Sequence, residues 1–227
     1  PISELFGGPV RDGIPIYCHP EDGASVEDAV QHAKAIAATG QKSLKTDPWQ
    51  PKHEEEEDGY LTGKLSAEAE NHGVDLIAAI REAVGPDFEI LIDCHGRFDA
   101  PTAIRLAKAL EPYDIFWFEE PVSQENVSEI KQVRDKVNIP IATGERLYTK
   151  YPFFELVKHE AVDILQPDIC NAGGITELKK IAAIAEAQHI MMAPHNTNAA
   201  VGTIASMHLD VAMPNFLIQE YHAEHYE

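Results

Sequence analysis

The chain has 227 residues, 44% hydrophobic and 25% charged, the size and composition of one soluble globular domain with a large core. Its formal net charge of −20 repels phosphates and excludes nucleic acid as a partner. No apolar run approaches the ~18 residues that span a bilayer, and the N-terminus lacks the basic and apolar regions of a signal peptide.

Short apolar, β-branched runs alternate with amphipathic stretches along the whole chain. The predicted strands are IPIYCH from Ile14, KSLKTD from Lys42, FEILIDCH from Phe88, IFWFEE from Ile115, IPIATGE from Ile139, VDILQPD from Val162, IMMAPH from Ile190 and FLIQE from Phe216. Between them lie seven patterns with apolar residues at i, i+3, i+4 and i+7, such as TAIRLAKALEPY and ITELKKIAAIAEAQH. Strands alternating with helices predict parallel βαβ units, and eight of them predict an α/β (β/α)₈ TIM-type barrel. No GxGxxG marks the rival dinucleotide fold. The connection from Pro48 to about Leu65 is long and polar, as loops over a barrel's active site often are. Its acidic run, His53 to Asp58, is expected to be exposed. The chain stops just after the eighth strand. Residues 1–227 are therefore expected to be a single barrel catalytic domain, truncated before its last helix. Cys18, Cys94 and Cys170 are scattered, form no CxxC pair, and suit a reducing, cytoplasmic setting.

Functional groups in such barrels sit where strands end and βα loops begin. Those positions hold Lys45 and Asp47, Asp93 and His95, Glu119 and Glu120, Glu145, Asp168, His195, and Glu220. Residues i and i+2 share a strand face, so Asp93 and His95 should point the same way, whereas Glu119 and Glu120 should diverge. Asp93, Glu119 and Glu145 should converge from three consecutive strands. Three carboxylates in one place call for a cation, and hard oxygen ligands suit Mg²⁺ better than zinc. Asp168 beside His195 would fix the imidazole tautomer and raise its basicity, as a general base requires. A single acid at a strand end is commonly a helix cap, and a single histidine such as His159 or His208 needs no role. Acid or histidine at the ends of six successive strands is harder to explain as capping.

With DCHGRF, WFEEP, ATGERL, LQPD, NAGGITE and MAPHN in this order, the chain resembles the enolase superfamily. Within it, the resemblance is to the acid-sugar dehydratases of the galactonate dehydratase type in the mandelate racemase subgroup. Asp93 to Glu119 and Glu119 to Glu145 are each 26 residues apart, and Asp168 to His195 is 27, similar to that family's spacing. The resemblance implies one Mg²⁺ on Asp93, Glu119 and Glu145, with Glu119 rather than Glu120 facing inward. It implies His195, oriented by Asp168, as the base, and Glu220 as a group holding the substrate carboxylate or the intermediate. His95 matches the acid that protonates a leaving hydroxyl, which a racemase does not need. Asp47 and Arg97 are expected to bind substrate.

One departure concerns the second strand. Many subgroup members carry Lys-x-Lys there, whereas this chain has Lys45-Thr46-Asp47. Lys45 is thus a carboxylate-binding cation, an opposite-face base or a bystander, and cycloisomerase-like relatives share the pattern. The implied reaction is removal of the proton next to a sugar acid's carboxylate and loss of its 3-hydroxyl as water, giving a 2-keto-3-deoxy acid. Racemase, cycloisomerase, Schiff-base aldolase through Lys45 and non-catalytic metal-binding barrel are the alternatives. The expected partner is a small-molecule sugar acid, and the expected assembly is a homo-oligomer. The family's N-terminal capping domain and C-terminal tail are expected to lie outside this chain.

Overall fold

A computed structural model describes residues 1–19, 25–50 and 63–222; the acidic run at His53 to Asp58 lies outside them. The chain divides into two compact units, His19–Ile141 and Pro1–Cys18 with Ala142–Glu227.

In the first of these, α1 (Val26–Ala38) leads to β2 (Ser43–Thr46), α2 (Ala67–Val84), β3 (Glu89–Asp93), α3 (Ala100–Leu110), β4 (Trp117–Glu119) and α4 (Val127–Arg134). Each helix starts on a side chain that accepts an otherwise orphaned amide: Ser25 from Asp28, Ser66 from Ala69, Asp99 from Thr102 and Asn126 from Glu129. The strands are parallel. β2 pairs with β3 from Ser43↔Glu89 to Thr46↔Ile92, and β3 pairs with β4 from Leu91↔Trp117 to Asp93↔Glu119. Ile90, Leu91 and Ile92 are all 0% exposed, so both faces of β3 are covered, as parallel strands flanked by helices require. The register brings Asp93 and Glu119 level with each other at the strand ends. At the opposite end, Arg81 on α2 donates to the carbonyls of Tyr113, Gly85, Phe88 and Asp114, tying two loops to one helix.

The other unit contains β1 (Ile16–Tyr17), the last two residues of β5 (Ile141–Thr143), α5 (Lys150–Lys158), β6 (Ile164–Leu165), α6 (Gly174–Glu186), β7 (Met191–Met192), α7 (Ala200–Asp210) and β8 (Gln219–Glu220). Its ladders are also parallel: Thr143↔Leu165, Leu165↔Met192, the single bridge Met192↔Phe216, and Tyr17↔Glu220. Gly144 ends β5 with φ at 142°, and a Cβ there would lie 2.7 Å from the Phe153 ring and 3.2 Å from the Gln166 backbone. Only glycine fits, and the next residue is Glu145. The N-terminal segment is held by Arg11, which donates to the carbonyls of Asp210 and Met213 and lies over the Phe216 ring.

The eight strands and seven α-helices expected from the sequence are found in order among the described residues. The strands are only two to five residues long, shorter than the apolar runs that announced them. A closed ring of ladders is not found among the described residues, so the fold is a parallel α/β arrangement. No helix among the described residues is long and apolar enough to cross a membrane.

Candidate active site

The candidate residues form two clusters, one in each unit. In the first, Lys45 is 1% exposed. Its Nζ lies 3.0 Å from Asp93 Oδ2 and donates to Glu119 Oε1 at 3.0 Å. The second oxygen of Glu119 accepts from the Trp117 indole at 2.9 Å, a pairing that i, i+2 strand alternation allows. Carboxylate oxygens of Asp93 and Glu119 come within 4.8 Å of each other. Burial alone would raise the Asp93 pKa, but the Lys45 and His95 charges outweigh it and hold the carboxyl at about 2.

β3 ends at Asp93, and His95 follows with a left-handed φ of 51°. Simple alternation therefore does not govern His95, contrary to the shared-face expectation. The turn still brings its Nε2 to 3.6 Å from Asp93 Oδ2, while its Nδ1 lies 2.9 Å from Asp47 Oδ2. Burial would lower the His95 pKa, but the hydrogen bond its Nδ1 donates to Asp47 and the charges of Asp93 and Asp47 raise it to about 9. Asp47 and Arg97 are both buried and pair with each other. Glu120 has φ at 41° and is fully buried.

In the second cluster, His195 Nδ1 lies 2.8 Å from Asp168 Oδ2. The same oxygen accepts from Asn198 Nδ2 at 3.0 Å, and Oδ1 accepts the amides of Cys170 at 2.6 Å and Asn171 at 3.2 Å. Burial pushes the Asp168 carboxyl up, but its bonds from His195, Cys170 and Asn198 bring it below its ordinary value. The other ring nitrogen of His195 faces Glu145 Oε2 at 3.6 Å and Glu220 Oε2 at 3.8 Å. Glu220 is fully buried, accepts the Asn196 amide at 2.9 Å and has His222 Nε2 at 3.5 Å from its other oxygen.

Sequence reasoning passed over Trp117, Asn196, Asn198 and His222, all of which orient or abut a candidate carboxylate. Trp117 and Asn196 lay inside the motifs WFEEP and MAPHN without being given a role, and Asn198 lies three residues beyond His195 in the same βα loop. Chemically, Asp93 and Glu119 offer only oxygens, donors that suit a hard divalent cation. Asp93, Glu119 and Lys45 together sum to one negative charge, so the carboxylates retain charge for a cation even with the ammonium in place.

Residues 23–227 match the family described as enolase C-terminal domain-like. The chain is 36% identical over 226 residues to the D-xylonate dehydratase of Haloferax volcanii, covering 98% of this chain and 54% of that protein. It is 33% identical over 216 residues to the D-gluconate dehydratase of Thermoproteus tenax, covering 94% of this chain and 42% of that one. It thus spans about half the length of these relatives. Among solved structures, a member of the enolase superfamily from Salmonella Typhimurium superposes with a TM-score of 0.92 at 32% identity, covering 100% of this chain and 61% of that one.

Proposed function

Since the chain belongs to the enolase C-terminal domain-like family, we propose that it is the catalytic part of a Mg²⁺-dependent hydro-lyase. The proposed reaction converts an aldonate-type sugar acid to its 2-keto-3-deoxy acid. One observation carries the reading. Two imidazoles, His195 and His95, are each held through Nδ1 by a buried carboxylate, at 2.8 and 2.9 Å. A β-elimination needs two proton carriers, one to take the C2 proton and one to protonate the leaving oxygen. A racemase also uses two proton carriers, but on opposite faces of one carbon, and it has no leaving oxygen to protonate.

Asp93, Glu119 and Glu145 are assigned to Mg²⁺ by the family resemblance and by their hard oxygen donors. Bound there, Mg²⁺ would offset the negative charge that gathers on the substrate carboxylate when the neighbouring C–H is broken. His195 Nε2 takes the C2 proton while Asp168 holds the opposite ring nitrogen and keeps the ring in the basic tautomer. His95 delivers a proton to the 3-oxygen as the C3–O bond breaks, and the enol then tautomerises to the keto acid. Glu220, beside His195, lies where it can orient the substrate. Lys45 balances the charge of Asp93 and Glu119. An ammonium held by two carboxylates is a poor nucleophile, which counts against Schiff-base chemistry. The relatives named above act on D-xylonate and D-gluconate; for this chain, both are substrates to test, together with D-galactonate.

The test of the base is exchange of the substrate's C2 proton with solvent deuterium. His195→Asn should abolish it, and Asp168→Asn should slow it by ~10²-fold or more, because the ring loses the partner that sets its tautomer. Exchange at the wild-type rate in His195→Asn would move the base elsewhere and sink the assignment.

A further inference from the structure

Asp47 follows the last residue of β2, and Arg97 lies two residues past His95; their exposures are only 3% and 5%. A carboxylate has two oxygens and about four acceptor positions. Oδ1 of Asp47 accepts the Trp49 amide at 3.0 Å. Arg97 Nη2 donates to both oxygens, reaching Oδ2 at 2.5 Å. Oδ2 also meets His95 Nδ1 at 2.9 Å. The group is turned toward the protein on both oxygens rather than toward a ligand. Its turn is also anchored. The Trp49 ring stands edge-on to Phe98 and Phe118, with centroids 5.7 and 6.3 Å away, and lies against Gly73 of α2.

We propose that Asp47 and Arg97 do not bind substrate but are positioning residues for His95: Arg97 fixes Asp47, and Asp47 fixes the imidazole through Nδ1 so that Nε2 faces the leaving hydroxyl. The inference rests on the dehydratase reading. In the elimination, the C2–H electron pair becomes the C2=C3 bond and the C3–O bond breaks with both electrons going to oxygen. The Nε2 proton joins that oxygen, and water departs. The second cluster uses the same construction. There Asp168, held by the amides of Cys170 and Asn171, fixes His195 through Nδ1. In that dyad Nε2 accepts a proton; in this one Nε2 gives one. A buried ion pair that served only the fold would stabilise the loop without caring which nitrogen of His95 faces outward.

The experiment uses D-gluconate, D-xylonate and D-galactonate with excess Mg²⁺ and follows C2 exchange and keto-acid formation separately on whichever acid turns over. Asp47→Asn keeps the shape but replaces an obligate acceptor with a group that can also donate to Nδ1, so the ring is no longer held with a proton on each nitrogen, as giving up the Nε2 proton requires. It should lower kcat for keto-acid formation by ~10²–10⁴-fold, the range of an acid's contribution. KM and C2 exchange should stay within about threefold of wild type, because substrate binding and the base are untouched. Arg97→Lys keeps the charge but loses the planar fork, and should show the same pattern more weakly. A raised KM at unchanged kcat would restore the substrate-binding role, and equal loss of exchange and product would mean a merely structural one. Wild-type behaviour on every readout would also overturn the proposal. Should the variants fail to fold, nitrogen NMR on histidine-labelled wild type decides, with the His95 signals assigned by their loss in His95→Asn. A proton on Nδ1 is required, and a bare Nδ1 overturns the inference. That measurement needs no turnover. Failure of the dehydratase reading would show separately, as no keto acid from wild-type protein.

Discussion

Replacing Lys45 with methionine keeps most of the side-chain volume and deletes the ammonium shared by Asp93 and Glu119. All three side chains are at most 2% exposed, with both nitrogen–oxygen distances 3.0 Å. Removing one partner from a buried ion pair costs about 3–5 kcal/mol, because a charge is left in a poorly solvating environment. The loss is capped there, since one carboxyl can take up a proton instead. At roughly 2–4 °C per kcal/mol for a chain of this size, the melting temperature in EDTA should fall by roughly 6–20 °C. Excess Mg²⁺ changes the comparison. A divalent cation on the same carboxylates replaces the missing positive charge, so the gap between variant and wild type should shrink by at least about half. The assay is thermal unfolding by circular dichroism, with chelator and with metal. Equal stability of the two proteins in EDTA would refute the buried-pair argument, and an unchanged gap in Mg²⁺ would refute the placement of the metal on Asp93 and Glu119.

Two further outcomes follow from groups outside the candidate site. Asp210 is fully buried, and neither carboxylate oxygen has a hydrogen-bond partner, so burial holds its pKa well above the ordinary value against the pull of Arg11. With the folded-state pKa raised, folding favours the protonated form. Stability should therefore be highest below about pH 4, the unfolded value, and fall as pH rises toward the folded one. Asp210→Asn should be more stable than wild type by denaturant titration at pH 7 and should lose that advantage near pH 4; a less stable variant at pH 7 would contradict this. Gly73→Ala places a Cβ 2.1 Å from Trp49 Nε1. The helix gains up to about 1 kcal/mol from alanine, but overpacking costs about 1–3 kcal/mol. A net loss of stability with a shifted tryptophan emission is expected, and a net gain would show that Trp49 yields freely.

The sequence carried most of what lies at the strand ends and little of what joins one cluster member to another. The order of eight strands and seven helices follows from hydrophobic period and turn residues, which are local properties. Asp168 and His195 could be placed together because they end consecutive strands. The Asp47–Arg97–His95 arrangement was not legible, because it depends on a tight turn. β3 stops at Asp93, the backbone turns left-handed at His95, and that departure from alternation swings the ring toward a residue 48 positions earlier. Asp47 and Arg97 look like substrate ligands in the sequence because polar residues near a barrel mouth usually are; their burial and their bonds to each other and to His95 depend on contacts distant in sequence. Lys45 was open among three roles for the same reason, since its position between two carboxylates rests on the register of β2, β3 and β4. The short ladders among the described residues have a simpler origin: apolar runs fix where strands lie, not how many of their residues pair regularly.

The most direct test of the central claim is product formation. The protein is incubated with Mg²⁺ and D-xylonate, D-gluconate or D-galactonate in deuterated water, and the organic acid is recovered and identified. A 2-keto-3-deoxy acid should form from at least one of them, and both EDTA and His195→Asn should prevent its appearance. Recovery of all three acids unchanged, or a product formed equally well after exhaustive chelation, would contradict the account.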